Sequence, residues 1–133
     1  KDNLTFSSPA SYHFAASINT DGNDDTITFG SNDHTIFDGT INTGIGKDTL
    51  NFQGLSDFRQ NIDTGDDDDT LNFTGPIVAA ISVTISSGAG NDIWIFNNPT
   101  VSTLNAGIDS GANDDIFTFV PRSQNISQRI WHL

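Results

Sequence analysis

The sequence has no cysteine, no methionine and no glutamate, and only five lysines and arginines in 133 residues. Without cysteine there is no disulfide framework, no thiol nucleophile and no thiolate-ligated zinc or iron-sulfur site. The missing glutamate is more telling. All 17 acidic residues are aspartate, which favours turns where glutamate favours helices, so composition alone disfavours helix. No run of 18 apolar residues occurs and nothing resembles a leader peptide, which predicts no membrane insertion. The lack of an initiator methionine suggests a processed product or an excerpt of a longer chain. Scarce positive charge leaves a formal net charge of −12, which repels nucleic acid and anionic membranes and makes cations the natural partners. An aspartate-rich, cysteine-free chain suits an extracellular, calcium-containing setting. With 35% apolar residues, residues 1–133 are enough for one domain with a core of its own.

What is present is repetition. Phenylalanine recurs at Phe6, Phe29, Phe52, Phe73, Phe96 and Phe119, in steps of 23, 23, 21, 23 and 23. Four residues before each stands an aspartate: Asp2, Asp25, Asp48, Asp69, Asp92 and Asp115. A second apolar file runs through Ile18, Ile41, Ile62, Ile85 and Ile108, each followed two residues later by Thr20, Thr43, Thr64, Ser87 or Ser110. A third falls four residues before those isoleucines, at Phe14, Phe37, Phe58, Ile81 and Leu104. Self-similarity at a fixed period decides architecture before any local assignment.

Within a unit the spacing is two throughout, as in Phe14-x-Ala16-x-Ile18-x-Thr20 and Ile27-x-Phe29, the pattern of strands with one face buried. Between these arcs lies a turn of Gly, Asn and Asp, and after each Phe a corner rich in Gly, Ser, Asn and Pro, including Pro9, Pro76 and Pro99. Two arcs and two corners in 21 to 23 residues are too little for an independent hairpin fold. They fit one coil of an all-β, parallel β-solenoid of about six coils, with the Phe29 and Ile18 files facing each other. The one 21-residue step belongs to the corner QGLSD, which lacks two residues that the others have.

Stacked coils place Asp25, Asp48, Asp69, Asp92 and Asp115 in one file, with Asp24, Asp67, Asp68 and Asp114 beside it. Like charges about 5 Å apart oppose folding. One resolution is Ca2+, which takes six to eight oxygen ligands in flexible geometry and accepts backbone carbonyls. The other is an Asx-turn, each carboxylate accepting amides of its own turn while remaining solvated.

The stretch TGIGKDTLN resembles the calcium-binding nonapeptide of the RTX repeat family, G-G-x-G-x-D-x-U-x. Gly44, Gly46, Asp48 and Leu50 match it, as do Gly88, Gly90 and Asp92 with Trp94 at the apolar position. Asp67 and Asn113 replace the second glycine in their turns, and Asp21 and Asn23 occupy both glycine positions of the first, where Asn23 tolerates a left-handed backbone. The resemblance implies calcium along the turn edge, with the aspartates named above and Gly44, Gly46, Gly88 and Gly90 as ligands. True RTX arrays repeat every nine residues, however, and the coil length here resembles instead the β-solenoid shafts of bacterial autotransporters and secreted adhesins. That resemblance implies a secreted or cell-surface bacterial protein, with cell-surface or matrix carbohydrate as a further partner.

Enzymatic readings find no support: His13, His34 and His132 share no file, and Arg59, Arg122 and Arg129 are scattered. A flat threonine ladder suited to ice begins at Thr26, Thr49 and Thr70 but stops at Ile93 and Ile116. The chain begins and ends at the same point of a coil, since KDNLTF repeats KDTLNF and Ile126 and Ile130 carry the spacing of Phe14 and Ile18. The expected function is therefore structural. Copies stack head to tail into an extracellular fibre or surface layer through Leu4, Phe6, Ile126, Ile130 and Trp131, stabilised by calcium. The alternative is a segment of a larger adhesin stalk or of a calcium-folded secretion module.

Overall fold

The computed structural model describes residues 1–7, 10–30, 34–54, 56–75, 77–79, 83–97, 103–104, 106–120 and 129–131. Every element is a short strand, and all strands run parallel to their neighbours in three sheets. The first sheet stacks β1 (Asn3–Phe6), β4 (Thr26–Phe29), β7 (Thr49–Phe52), β10 (Thr70–Phe73), β13 (Ile93–Phe96) and β16 (Ile116–Phe119) in that order. The second holds β2 (Tyr12–Phe14), β5 (Thr35–Phe37), β8 (Ser56–Phe58), β11 (Ile77–Ala79) and β14 (Thr103–Leu104). The third holds β3 (Ile18–Asn19), β6 (Ile41–Asn42), β9 (Ile62–Asp63), β12 (Thr84–Ser86), β15 (Gly107–Asp109) and β17 (Arg129–Trp131). The chain is a parallel β-solenoid, as the repeat predicts. Complete three-strand coils run from β1 to β15, and only β16 and β17 represent a further coil among the described residues.

Each coil has three sides where the spacing predicts two arcs. The expected arc from Phe14 to Thr20 is bent in the middle: β2 ends at Phe14, β3 starts at Ile18, and Ala16 between them is exposed. Consequently the Phe29 file meets the Phe37 file as well as the isoleucine side. Phe29 and Phe37 pack edge to face at 4.7 Å, and Phe52 and Phe58 do so at 4.9 Å. Along the axis the rings of the first file stack, with centroids 5.4 Å apart for Phe6 and Phe29, 5.2 Å for Phe29 and Phe52, 4.8 Å for Phe52 and Phe73, and 4.9 Å for Phe73 and Phe96. Phe29, Phe52, Phe73, Ile27, Leu50, Leu71 and Trp94 are buried, and Leu4, Phe6, Phe96 and Phe117 are partly so. Each fully buried side chain among them contributes roughly 1.5–3 kcal/mol, and a favourable ring pair adds about 0.5–1.5 kcal/mol.

The register places the shortened coil where the sequence does, in the corner at residues 53–55. It also corrects the third apolar file. Phe58 pairs with Ala79, which pairs with Leu104, so Ala79 takes the position expected for Ile81. The corner at residues 74–76 is as short as that at 53–55, which brings β11 forward, and the extra chain is returned before β12. Ile81 itself, with Pro9, Pro76 and Pro99, lies outside the described residues.

Candidate functional site

The turns between the third and first sheets are stacked as regularly as the strands. Gly22, Ile45, Asp66, Ala89 and Ala112 form parallel bridges from coil to coil. The residue before each bridge has a left-handed backbone, with φ of 66° at Asp21, 98° at Gly44, 96° at Gly65, 78° at Gly88 and 76° at Gly111. Stacking demands glycine here: a Cβ on Gly65 would lie 1.8 Å from the Gly44 carbonyl oxygen. The position after each bridge is also left-handed at Asn23, Asp67 and Asn113, so the tolerance expected of Asn23 is realised, and Asp67 occupies the same conformation.

The inner aspartate file lies inside the turn. Asp25, Asp48, Asp69 and Asp92 are each 1% exposed or less. Asp25 donates its N–H to Asp48 Oδ1 at 2.7 Å, Asp48 to Asp69 at 2.8 Å, Asp69 to Asp92 at 2.8 Å and Asp92 to Asp115 at 3.0 Å. This differs from the Asx-turn in two respects: the amide comes from the equivalent residue of the preceding coil, and the carboxyl is not solvated. The reason is pleat parity, since Asp25, Ile27 and Phe29 alternate onto the same inward face.

The second carboxyl oxygen has no partner. Oδ2 of Asp25, Asp48, Asp69 and Asp92 is buried without a hydrogen bond. Beside the file run the hydroxyls of Thr20, Thr43, Thr64, Ser87 and Ser110, all buried. Thr20 donates to the Thr43 carbonyl, Thr43 to that of Thr64 and Ser87 to that of Ser110, at 3.0–3.1 Å. Burial pushes the Asp69 carboxyl up to about 7, against the pull of the Thr64 hydroxyl and the Asp48 amide, and the charges of Asp48 and Asp92 add to the rise. Asp48 and Asp92 are raised too, burial again being the largest cause. The hydroxyl acting on Asp48 is that of Thr43, and it has already given its proton to a carbonyl, so it has only lone pairs to offer. The Thr64 hydroxyl beside Asp69, by contrast, has no acceptor of its own.

The outer file behaves differently. Reading along the axis it is Lys1, Asp24, Lys47, Asp68, Asn91 and Asp114. Asp24 accepts the Lys47 amide at 3.1 Å, Asp68 the Asn91 amide at 3.0 Å and Asn91 Oδ1 the Asp114 amide at 3.2 Å. Lys47 Nζ lies 2.6 Å from Asp68 Oδ2. The Lys47 hydrogen bond is the largest cause holding Asp68 down at about 2. Like charges are nowhere adjacent in this file, so the repulsion expected beside the inner aspartates is absent here. Sequence reasoning treated Asp24, Asp68 and Asp114 as neighbours of the inner file and overlooked that Lys47 and Asn91 stand between them, although the alternation is legible at a fixed offset of one residue.

Of the four glycine carbonyls expected as metal ligands, two already accept an amide. The carbonyls of Gly44 and Gly88 accept the amides of Asp66 and Ala112, and the amides of Gly46 and Gly90 are donated to Asp66 and Ala112 carbonyls. Among the described residues no three His, Cys, Asp or Glu side chains converge on one point. Asp67 is exposed. A second cross-coil group, which the sequence did not reveal, joins His13 to Asp38, Arg59 to Asp38 and Arg59 to Asp57 on the surface of the second sheet.

Of the residues expected at an assembly interface, Leu4 and Phe6 lie on the outermost strand of the first sheet. Ile130 and Trp131 lie on β17, in register with Ile108 and Asp109. Ile126 lies outside the described residues. No protein-family model, curated protein or solved structure matches the chain.

Proposed function

We propose that the chain is a structural protein, a β-solenoid rod whose end faces pair with those of other copies. The observation that carries this reading is the likeness of the two outermost strands of the first sheet. Asp2 with Leu4 and Phe6 of β1 stands where Asp115 with Phe117 and Phe119 of β16 stands, and every neighbouring strand pair between them keeps that register. Laid on β16 of another copy, β1 extends the phenylalanine ladder, covers Phe119, which is 41% exposed, and gives the Asp115 amide the Asp2 carboxyl as acceptor. Such a contact is heterologous and generates an open filament. The acidic, cysteine-free composition supports an extracellular setting.

Electron microscopy of the purified chain is the test. Filaments that disappear on Phe6→Glu and on Phe119→Glu, with circular dichroism unchanged, support end-to-end stacking. A chain that stays monomeric at high concentration overturns it and leaves the reading of a stalk segment within a longer protein.

Calcium along the turn edge is the second part of this reading, favoured by the buried, unpartnered Oδ2 atoms of the inner file. An ion there would draw heavily on backbone carbonyls, which hard cations accept. Calcium should then raise the melting temperature and a chelator lower it, with magnesium less effective. Asp48→Asn and Asp92→Asn should weaken that response most. A melting curve indifferent to both reagents leaves protons as the species that neutralises the file.

A further inference from the structure

The outward face of the first sheet differs from the rest of this acidic molecule. Its positions, two on each of six strands, are Asn3 and Thr5, Thr26 and Thr28, Thr49 and Asn51, Thr70 and Asn72, Ile93 and Ile95, Ile116 and Thr118. None is charged, in a chain where 17% of residues are. The charges begin one step upstream on the same face, in the file of Asp24, Lys47 and Asp68. The face is also regular. Its six strands pair residue for residue from β1 to β16, and successive rings on its inner side stack within 3–13° of parallel. Its side chains are tied across coils, Asn51 donating to Thr28 and Asn72 to Asn51, both at 3.4 Å, so the surface is set before any ligand arrives.

We propose that this face binds ice. A parallel sheet repeats at about 4.8 Å between coils and about 6.6 Å between alternate residues of one strand, and water oxygens on the prism faces of hexagonal ice repeat at spacings close to these. An uncharged face does not hold a competing hydration shell of ions, threonine supplies both a methyl group and a hydroxyl, and asparagine supplies further hydrogen bonds. The change from threonine to Ile93 and Ile116 does not end the surface. It keeps the face uncharged and in register, and it keeps the branched methyl that threonine carries. A crystalline polysaccharide, the other flat neutral lattice, is recognised by stacking on aromatic rings, and no outward position of this sheet is aromatic.

The test is nanolitre osmometry on the purified chain with a single ice crystal. The expected result is a gap between melting and freezing temperatures, with faceted crystals. Thr49→Tyr and Thr70→Tyr, at the centre of the face, should each abolish most of that gap, while Asn42→Tyr on the exposed side of the third sheet should leave it intact. Circular dichroism of each variant separates loss of the face from loss of fold, and Thr49→Lys repeats the test with a different intrusion. No gap with the unaltered chain, a gap untouched by both central substitutions in folded protein, or retention on insoluble cellulose or chitin without ice activity would each overturn the proposal.

Discussion

Asp68 and Asp69 are adjacent in sequence and belong to the same turn, yet one carboxyl is held down at about 2 and the other pushed up to about 7. Asp68 points outward and meets the ammonium of Lys47; Asp69 points inward and meets an amide, a hydroxyl and the carboxyls above and below. The outer file relieves repulsion by alternating residue types and staying in water. The inner file gives each Oδ1 an amide, and burial raises the carboxyls of Asp48, Asp69 and Asp92. A stack of aspartates thus has two answers within one turn, and pleat parity selects between them.

The largest expected effect comes from removing the inner charge. For a carboxyl whose pKa is raised on folding, the stabilising contribution is complete below the unfolded value near 3.8 and is lost as pH rises through about 7. Asp48 and Asp92 are shifted the same way and their charges act on Asp69, so these three carboxyls titrate together. The melting temperature should therefore fall between pH 4 and pH 8, opposite to the usual acid denaturation. Asp69→Asn keeps the acceptor and cannot ionise. At pH 8 it should stabilise the fold by roughly 2–4 kcal/mol and at pH 4 by almost nothing, measured by thermal unfolding. Destabilisation at pH 8 that calcium accentuates would favour a metal-bound file instead.

The second effect tests the backbone that holds both files. Gly65→Ala imposes φ near 96° on a residue with a Cβ and drives that Cβ into the Gly44 carbonyl. A loss of about 2–4 kcal/mol in denaturant unfolding is expected. Asp21→Ala, in the first turn, where no described turn lies beneath it, should lose far less. The third is Asp69→Ala, which leaves the Asp48 amide buried without an acceptor and should destabilise by about 1–3 kcal/mol at pH 4, where Asp69→Asn is near neutral.

How far this was legible from sequence depends on the length of the pattern. The Phe, Ile and Asp files run through nearly every coil, and they predict the solenoid, its stacking and its aromatic ladder. The third side was not legible because β3, β6 and β9 have two residues each, too few to display a period or its interruption. Ala79 was missed because two compensating changes in corner length cancel within one coil. The burial of the aspartates was available in principle, since Asp25-x-Ile27-x-Phe29 keeps the period of two. The general rule that aspartate faces water overrode that periodicity, and here periodicity decides.

The smallest expected effect concerns Lys47, the basic residue between Asp24 and Asp68 in the outer file. Its side chain is 63% exposed, so screening by water and salt leaves the pair with Asp68 little weight in stability, and Lys47→Gln should barely move the melting temperature. The local consequence is sharper. Losing the ammonium removes the largest cause of the Asp68 shift, so its pKa should climb from about 2 back towards 3.8, while Asp69 in the same turn stays near 7 because burial, not Lys47, holds it there. Carboxyl carbon NMR titration of the two residues in one sample measures both. If Asp69 moves together with Asp68, the two files are electrostatically one site and the division by pleat parity fails. If only Asp68 moves, adjacent aspartates are insulated from each other by the backbone that separates the inside of the turn from the outside.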